Sequence, residues 1–409
     1  MLVTAVPVAA AQKVELRLMS WYFGEEPAAT GLKTLIAEFE RTHPGISIVP
    51  EQVTDTERLT KLTTRMAGGQ GPDMYMETAS NVRFVVDRGY CINLEPLIAQ
   101  SAEPIKQRFS DGILEEFSDA NGNLYFMPYA IGPTALVYNS RMWRAAGLDP
   151  ANPPKTWESF VEYAKKLTGN GRYGLAMFGK GDGSSVWRLS YWWMTNGADV
   201  LSSDGQRATV NTPEFIEAIE FWANLHKVYH VVPPSAPQNS FSENNAIFAA
   251  EVAAMVESGV WQFGVTEKMN PSLKGELRAA LMPVRRRPVA AGGGDDGICI
   301  TTQSKHPKEA FEFLSFLSSA KAGVTLWQIH GKFPANKASL QDPAVAKDSL
   351  VQMWLPILPY TKAPVLHPRY PEISSVLGVM QQEVLLGLKS AAQAVADANA
   401  KITEIIERK

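Results

Sequence analysis

From Lys13 onward the hydrophobic period of the chain switches and switches back. Val14, Leu16 and Leu18 alternate with Glu15 and Arg17, the two-residue repeat of a half-buried strand. The strand closes at Ser20-Trp21-Tyr22-Phe23-Gly24. Leu32, Leu35, Ile36 and Phe39 then fall at i, i+3, i+4 and i+7, the stripe of an amphipathic helix, which His43-Pro44-Gly45 stops. Ile46 to Val49 reads as a second strand. After another helical segment, Gly68-Gly69-Gln70-Gly71-Pro72 leads into a third strand at Asp73 to Met76. Strand alternating with helix predicts an α/β fold, a parallel sheet covered on both faces.

The middle of the chain is richer in helix. Thr156 caps a segment that puts Trp157, Phe160, Val161, Ala164 and Leu167 on one face before Gly169. Thr212-Pro213 opens another, with Phe215, Ala218, Ile219 and Trp222 inward. Ala253 to Val256 reads as a buried strand broken by Glu257-Ser258-Gly259, with Trp261 on the loop beyond. Leu281 to Pro283 reads as a brief strand, Arg285 to Arg287 as its solvated end, and Gly297 to Thr301 as a further strand. The last helix carries Ala391, Val395, Ala398, Ile402 and Ile405 on one face. Trp143, Trp157, Trp222 and Trp327 lie on apolar helical faces and are expected in the core.

Composition closes off several classes. With 39 basic and 42 acidic residues and no basic block, neither nucleic acid nor an anionic membrane is indicated as a partner. Cys91 and Cys299 lack C-x-x-C spacing. Two buried free thiols are the expected state, with a single bridge left open. His226 and His230 stand four apart without a third ligand, and no P-loop, dinucleotide fingerprint or nucleophile elbow occurs. No metal and no cofactor is therefore expected. Residues 1–12, ending near Ala9-Ala10-Ala11, read as the remnant of a secretory signal peptide. No cysteine near Gln12 offers a lipid anchor, so a free periplasmic protein is expected.

The segment IGPTALVYNSRMWRAAGLDPANPPKTWESFVEYAKKLT, residues 131–168, resembles the family 1 extracellular solute-binding proteins of ABC transporters, the maltose-binding-protein-like sugar receptors. FERTHPGISI (39–48), GPDMYM (71–76), MVESGVW (255–261), GGGDDGICITTQSKHPKEAFEFLSFLSS (292–319) and GKFPANKAS (331–339) match further stations of that family in order. The resemblance implies two interleaved α/β lobes joined by three hinge crossings. It places lobe one at 13–130 and 295–331, lobe two at 136–290 and 338–409, and the crossings near 131–135, 291–295 and 331–338.

In open α/β lobes, ligands sit beyond the carboxyl ends of the strands. There the sequence offers Trp21, Tyr22 and Phe23 after the first strand, and Glu77, Thr78, Ser80 and Asn81 after the third. Tyr129 and Gly132 stand at the first crossing; Gly293, Asp295 and Asp296 at the second. Trp187, expected just before the helix of Trp192 and Trp193, Trp261, and Arg369 and Tyr370, expected on the loop before the final helices, complete the candidate set. Aromatic rings suit the apolar face of a pyranose, and carboxylates suit its hydroxyl rim. Trp261 matches the family's stacking tryptophan, and Trp187 fits a second stacking position.

The expected function is thus an extracytoplasmic carbohydrate receptor, not an enzyme, that closes on a mono- or oligosaccharide. It would act as a monomer and deliver the sugar to the permease subunits of an ABC importer. Two alternatives stay open: the same fold binding glycerol-3-phosphate or another small polar solute, and a carbohydrate-active hydrolase.

Overall fold

The computed structural model describes residues 13–292, 294–363 and 366–408. The signal-peptide reading of residues 1–12 and the candidate Gly293 lie outside the described residues. The strands are β1 (Val14–Ser20), β2 (Ile46–Gln52), β3 (Met74–Thr78), β4 (Phe126–Ile131), β5 (Thr134–Asn139), β6 (Tyr173–Ala176), β7 (Ala253–Gly259), β8 (Leu277–Ala280), β9 (Ala290–Ala291), β10 (Gly294–Ile300), β11 (Phe333–Pro334) and β12 (Thr361–Lys362).

Two larger sheets organise them. One has the order β11-β4-β10-β3-β1-β2, the other β6-β7-β5-β8, and β9 pairs with β12 apart from both. The first sheet is mixed rather than purely parallel. β1 runs parallel to β2 and β3, but β10 is antiparallel to both β3 and β4. The reason lies in the route of the chain, which leaves the first sheet after β4, builds the second, and returns as β10 from the opposite direction.

Each sheet has its own apolar core. Leu16, Leu18, Leu32, Phe39, Met74 and Phe126 belong to the first; Trp143, Phe160, Trp192, Phe215, Trp222 and Ile402 to the second. A third cluster on the far side of β5 and β7 gathers Val137, Val256, Trp327, Phe333 and Trp354. The four tryptophans expected in the core are all buried. The helix Trp157–Lys166 starts with the Thr156 hydroxyl accepting from the Ser159 amide, as its sequence predicts.

Several local expectations are overturned. Glu257, Ser258 and Gly259 do not break the strand; they continue β7 opposite Leu136, Ala135 and Thr134. Trp261 is then not on a loop but opens the helix Trp261–Met269. Trp187 lies inside the helix Gly183–Thr195, which starts four residues before it behind an Asp182 cap. Leu281 to Pro283 lies just past β8, and β10 begins at Gly294, so Asp295 and Asp296 are strand residues.

The cysteines are a further correction: Cys91 and Cys299 form a disulfide, with Cα atoms 5.9 Å apart. Cys91 pairs as an isolated bridge with Thr301, next to β10. That pairing sets the two side chains within bonding reach although 208 residues separate them.

Candidate functional site

The chain leaves the first sheet between β4 and β5 and re-enters it between β9 and β10. Thr134 Oγ1 donates to the carbonyl of Ala291 there. A Cβ on Gly132 would stand 2.5 Å from Cγ of Asp295, and one on Gly292 2.2 Å from the Gly132 carbonyl oxygen. Glycine at these crossings therefore answers close backbone approach as well as any hinge freedom.

Next to this seam lies a cluster drawn from distant parts of the chain. Lys332 Nζ stands 2.6 Å from Asp295 Oδ2 and 2.5 Å from Asp296 Oδ2. Tyr22 Oη donates to Asp296 Oδ2, and the Tyr22 ring packs edge-on to His330 at 4.7 Å. Asp296 is fully buried; loss of water and the like charge of Asp295 push its carboxyl up, to about 6, against the pull of Lys332 and Tyr22. The paired carboxylates raise Lys332 despite its burial. Tyr129 Oη and Asp296 Oδ1 are buried and have no protein partner.

The Lys332 ammonium also lies 5.2 Å from the ring of Trp261. Trp261 is half-buried and stands 6.0 Å from Trp187, itself half-buried, with 28° between the ring planes. Gly259 explains how the indole fits, because a Cβ at that position would be 2.0 Å from the Trp261 ring. The G-x-W spacing is a steric requirement. Both indoles belong to elements of the second sheet's layer, so they form one shared surface. Asp295 and Asp296 come from β10 of the first sheet, and Tyr22 from the 3-10 turn that follows β1.

Beneath this surface, Trp192 Nε1 donates to Glu257 Oε1 at 2.5 Å, and Arg188 Nε donates to the Glu257 carbonyl at 3.0 Å. Arg188 is itself buried, 4.0 Å from the Phe178 ring centroid. Burial pushes the Glu257 carboxyl up to about 8, with Trp192 and Arg188 pulling the other way. A carboxyl that keeps its proton to about 8 when folded, but not when unfolded, contributes stability that is full at low pH. That stability is lost progressively as pH rises from about 4.5, the ordinary carboxyl value, and is gone above about 8. Glu257→Gln keeps an acceptor for the indole and removes the charge. It should raise the unfolding free energy by about 1–3 kcal/mol at pH 8.5 and by far less at pH 5. Denaturant titrations at the two pH values check this; equal effects at both would contradict it.

Other sequence candidates are placed differently. Glu77 is fully buried, and its carboxylate accepts from Arg58 Nε at 2.7 Å, from the Thr78 amide at 2.8 Å, from Asn81 Nδ2 at 3.2 Å and from the Tyr75 hydroxyl. It orients its neighbours, and Thr78, Ser80 and Asn81 stay half-exposed around it. Trp21 is buried with the Arg58 guanidinium over its ring at 4.7 Å, and Phe23 is buried in the first core. Tyr370 packs into the second core, and Arg369 donates to Glu372 and to the Arg408 carbonyl. Arg369 and Tyr370 are not brought to the aromatic cluster. Arg285, Arg286 and Arg287 pair with Glu158, Glu217 and Asp199.

No local motif marks Lys332, Arg58, Arg188 or Glu257 as part of a site. Lys332 carries one weak local sign: it follows Gly331, the left-handed cap of the helix Ala320–His330. Two surface cavities, of about 350 Å³ beside Trp157 and Phe221 and about 510 Å³ beside His43 and Phe311, share no residue with the cluster.

A sequence profile of the bacterial extracellular solute-binding proteins matches residues 24–324. A putative binding protein of Brucella abortus is 25% identical over 376 residues, 90% of this chain and 88% of its own. An ABC transporter solute-binding protein of Thermotoga lettingae, solved with α-D-tagatose, superposes with a TM-score of 0.89 at 24% identity, covering 96% of this chain and all of that one. A maltose-bound protein of T. maritima superposes at 0.85 with 21% identity, over 96% and 100%.

Proposed function

This chain belongs to the bacterial extracellular solute-binding protein family, and on that premise we propose a non-enzymatic receptor that captures a neutral carbohydrate and passes it to an ABC importer. One observation carries the reading. Two half-buried indoles, Trp187 and Trp261, lie 6.0 Å apart, and Lys332 bridges Trp261 to the buried carboxylate of Asp296, whose Oδ1, like Tyr129 Oη, lacks a protein hydrogen-bond partner. A sugar supplies what that arrangement lacks, an apolar ring face and a rim of hydroxyls. The tagatose and maltose held by the two structural relatives support the same class.

The binding set we propose is Trp187 and Trp261 on one side and Tyr22, Thr78, Ser80, Asn81, Tyr129, Asp295 and Asp296 on the other. Lobes of 13–130 with 295–331 and 136–290 with 338–409 would swing about crossings near 131–135, 291–295 and 331–338. Ligand contacts made only by the closed form shift the equilibrium toward it. The disulfide accords with work outside the cytoplasm, where thiols are oxidised. No helix of the described residues is long and apolar enough to cross a membrane.

An anionic ligand such as glycerol-3-phosphate is less well served. Lys332 is held by two aspartates and Arg58 by Glu77 and Asp55. A hydrolase needs two carboxylates flanking the scissile bond, whereas Asp295 and Asp296 converge on a single ammonium.

Thermal-shift screening over monosaccharides, alditols and maltooligosaccharides tests the proposal. A ligand at a hundred times its dissociation constant adds about 2.7 kcal/mol to the native state. A panel in which no sugar raises the melting temperature would remove the carbohydrate reading.

A further inference from the structure

The surroundings of Lys332 have a chemistry of their own. Its side chain is only 9% exposed. Its Nζ donates to Asp296 Oδ2 at 2.5 Å and forms an ion pair with Asp295 Oδ2 at 2.6 Å. The ammonium also lies 4.9 Å from the Tyr22 ring centroid and 5.2 Å from that of Trp261. Carboxylates and aromatic rings converging on one nitrogen are what recognition of a primary ammonium requires. A second oxygen, Asp296 Oδ1, is buried beside it without a protein partner. The cluster also joins the two layers: Asp295 and Asp296 lie on β10 in the first sheet, while Trp261 follows β7 in the second.

We infer that Asp295, Asp296, Tyr22 and Trp261 form a primary-ammonium site, filled from within by Lys332, and that this tethered occupant makes the cleft select solutes without positive charge. A chain-borne ammonium is present at high effective concentration, so an external amine competes poorly. Without Lys332, two adjacent carboxylates face each other with no counter-charge and the site opens to cationic solutes. The inference goes beyond the carbohydrate reading and does not depend on it, because its test uses no sugar.

Lys332→Ala removes the equivalent of n-propylammonium while leaving Cβ. Propylammonium chloride is therefore titrated by calorimetry and thermal shift into the full chain and into Lys332→Ala, with propanol and sodium chloride at matched ionic strength as controls. Propylammonium should bind the variant at least ~10-fold more tightly than it binds the parent, from the opposite-charge contacts regained. It should also raise the variant's melting temperature where propanol does not. A further Asp296→Asn change should abolish the effect. Lys332→Ser, which leaves the same space and a hydroxyl for the carboxylates, carries the experiment where Lys332→Ala does not fold. Equal response of parent and variant, no selective response to the amine, or persistence after Asp296→Asn would overturn the inference. A protein that binds no sugar but shows amine rescue would sink the carbohydrate reading and leave this one standing.

Discussion

Reduction of the Cys91–Cys299 bridge should lower the unfolding free energy by roughly 2–5 kcal/mol. The expectation follows from chain topology. The cysteines are 208 residues apart, and a cross-link over so long a loop removes about 5 kcal/mol of closure entropy from the unfolded chain in the ideal case. Both residues are buried in the first core, Cys299 in the strand between β3 and β4. The bridge holds this returning strand to the segment after the helix Ala79–Asp87. Asp296 lies three residues earlier on that strand, so ligand affinity should fall more modestly than stability. Guanidinium titrations of the oxidised protein, the reduced protein and the Cys91→Ala/Cys299→Ala variant measure the effect. Midpoints that coincide for all three would show that the rest of the fold already supplies the constraint.

What was legible in the sequence was what local periodicity encodes. β1 and the helix Ala28–Thr42 follow from alternation and from the 3.6-residue stripe, because burial of one face is a property of consecutive residues. The caps at Thr156 and Thr212 are equally local. Charged residues in buried strands escape local pattern, because their partners are distant in the chain. Glu257 looks like a strand breaker, yet it sits in β7 because Trp192 and Arg188, more than 60 residues away, satisfy it. Glu77 is legible as a polar residue at a strand end, but its ion pair with Arg58 is not. Lys332 shows the same effect in stronger form: Tyr22 and Trp261 come from far along the chain, and no pattern near Gly331 announces them. The disulfide is not legible in the sequence because only the return of β10 brings its halves together.

Trp261→Ala should weaken binding of the solute found by the sugar screen at least tenfold, about 1.4 kcal/mol or more. The indole is half-buried, so its loss leaves the core packing of β5 and β7 largely in place, and the denaturation midpoint should move less than the affinity does. Three features concentrate binding on this ring. Gly259 yields the space in which it lies, Trp187 extends its surface at 6.0 Å, and the Lys332 ammonium stands 5.2 Å from its centroid. Alanine removes the stacking face and also one of the aromatic partners of that ammonium, so two contributions are lost together. Trp261→Phe restores a smaller face over the same glycine and should recover part of the affinity. Calorimetry on the three proteins, with circular dichroism to confirm the fold, measures the series. If Trp261→Ala bound as tightly as the parent, the ring would be packing between elements, and the solute would have to be held by the Asp296 and Tyr129 side of the cleft alone.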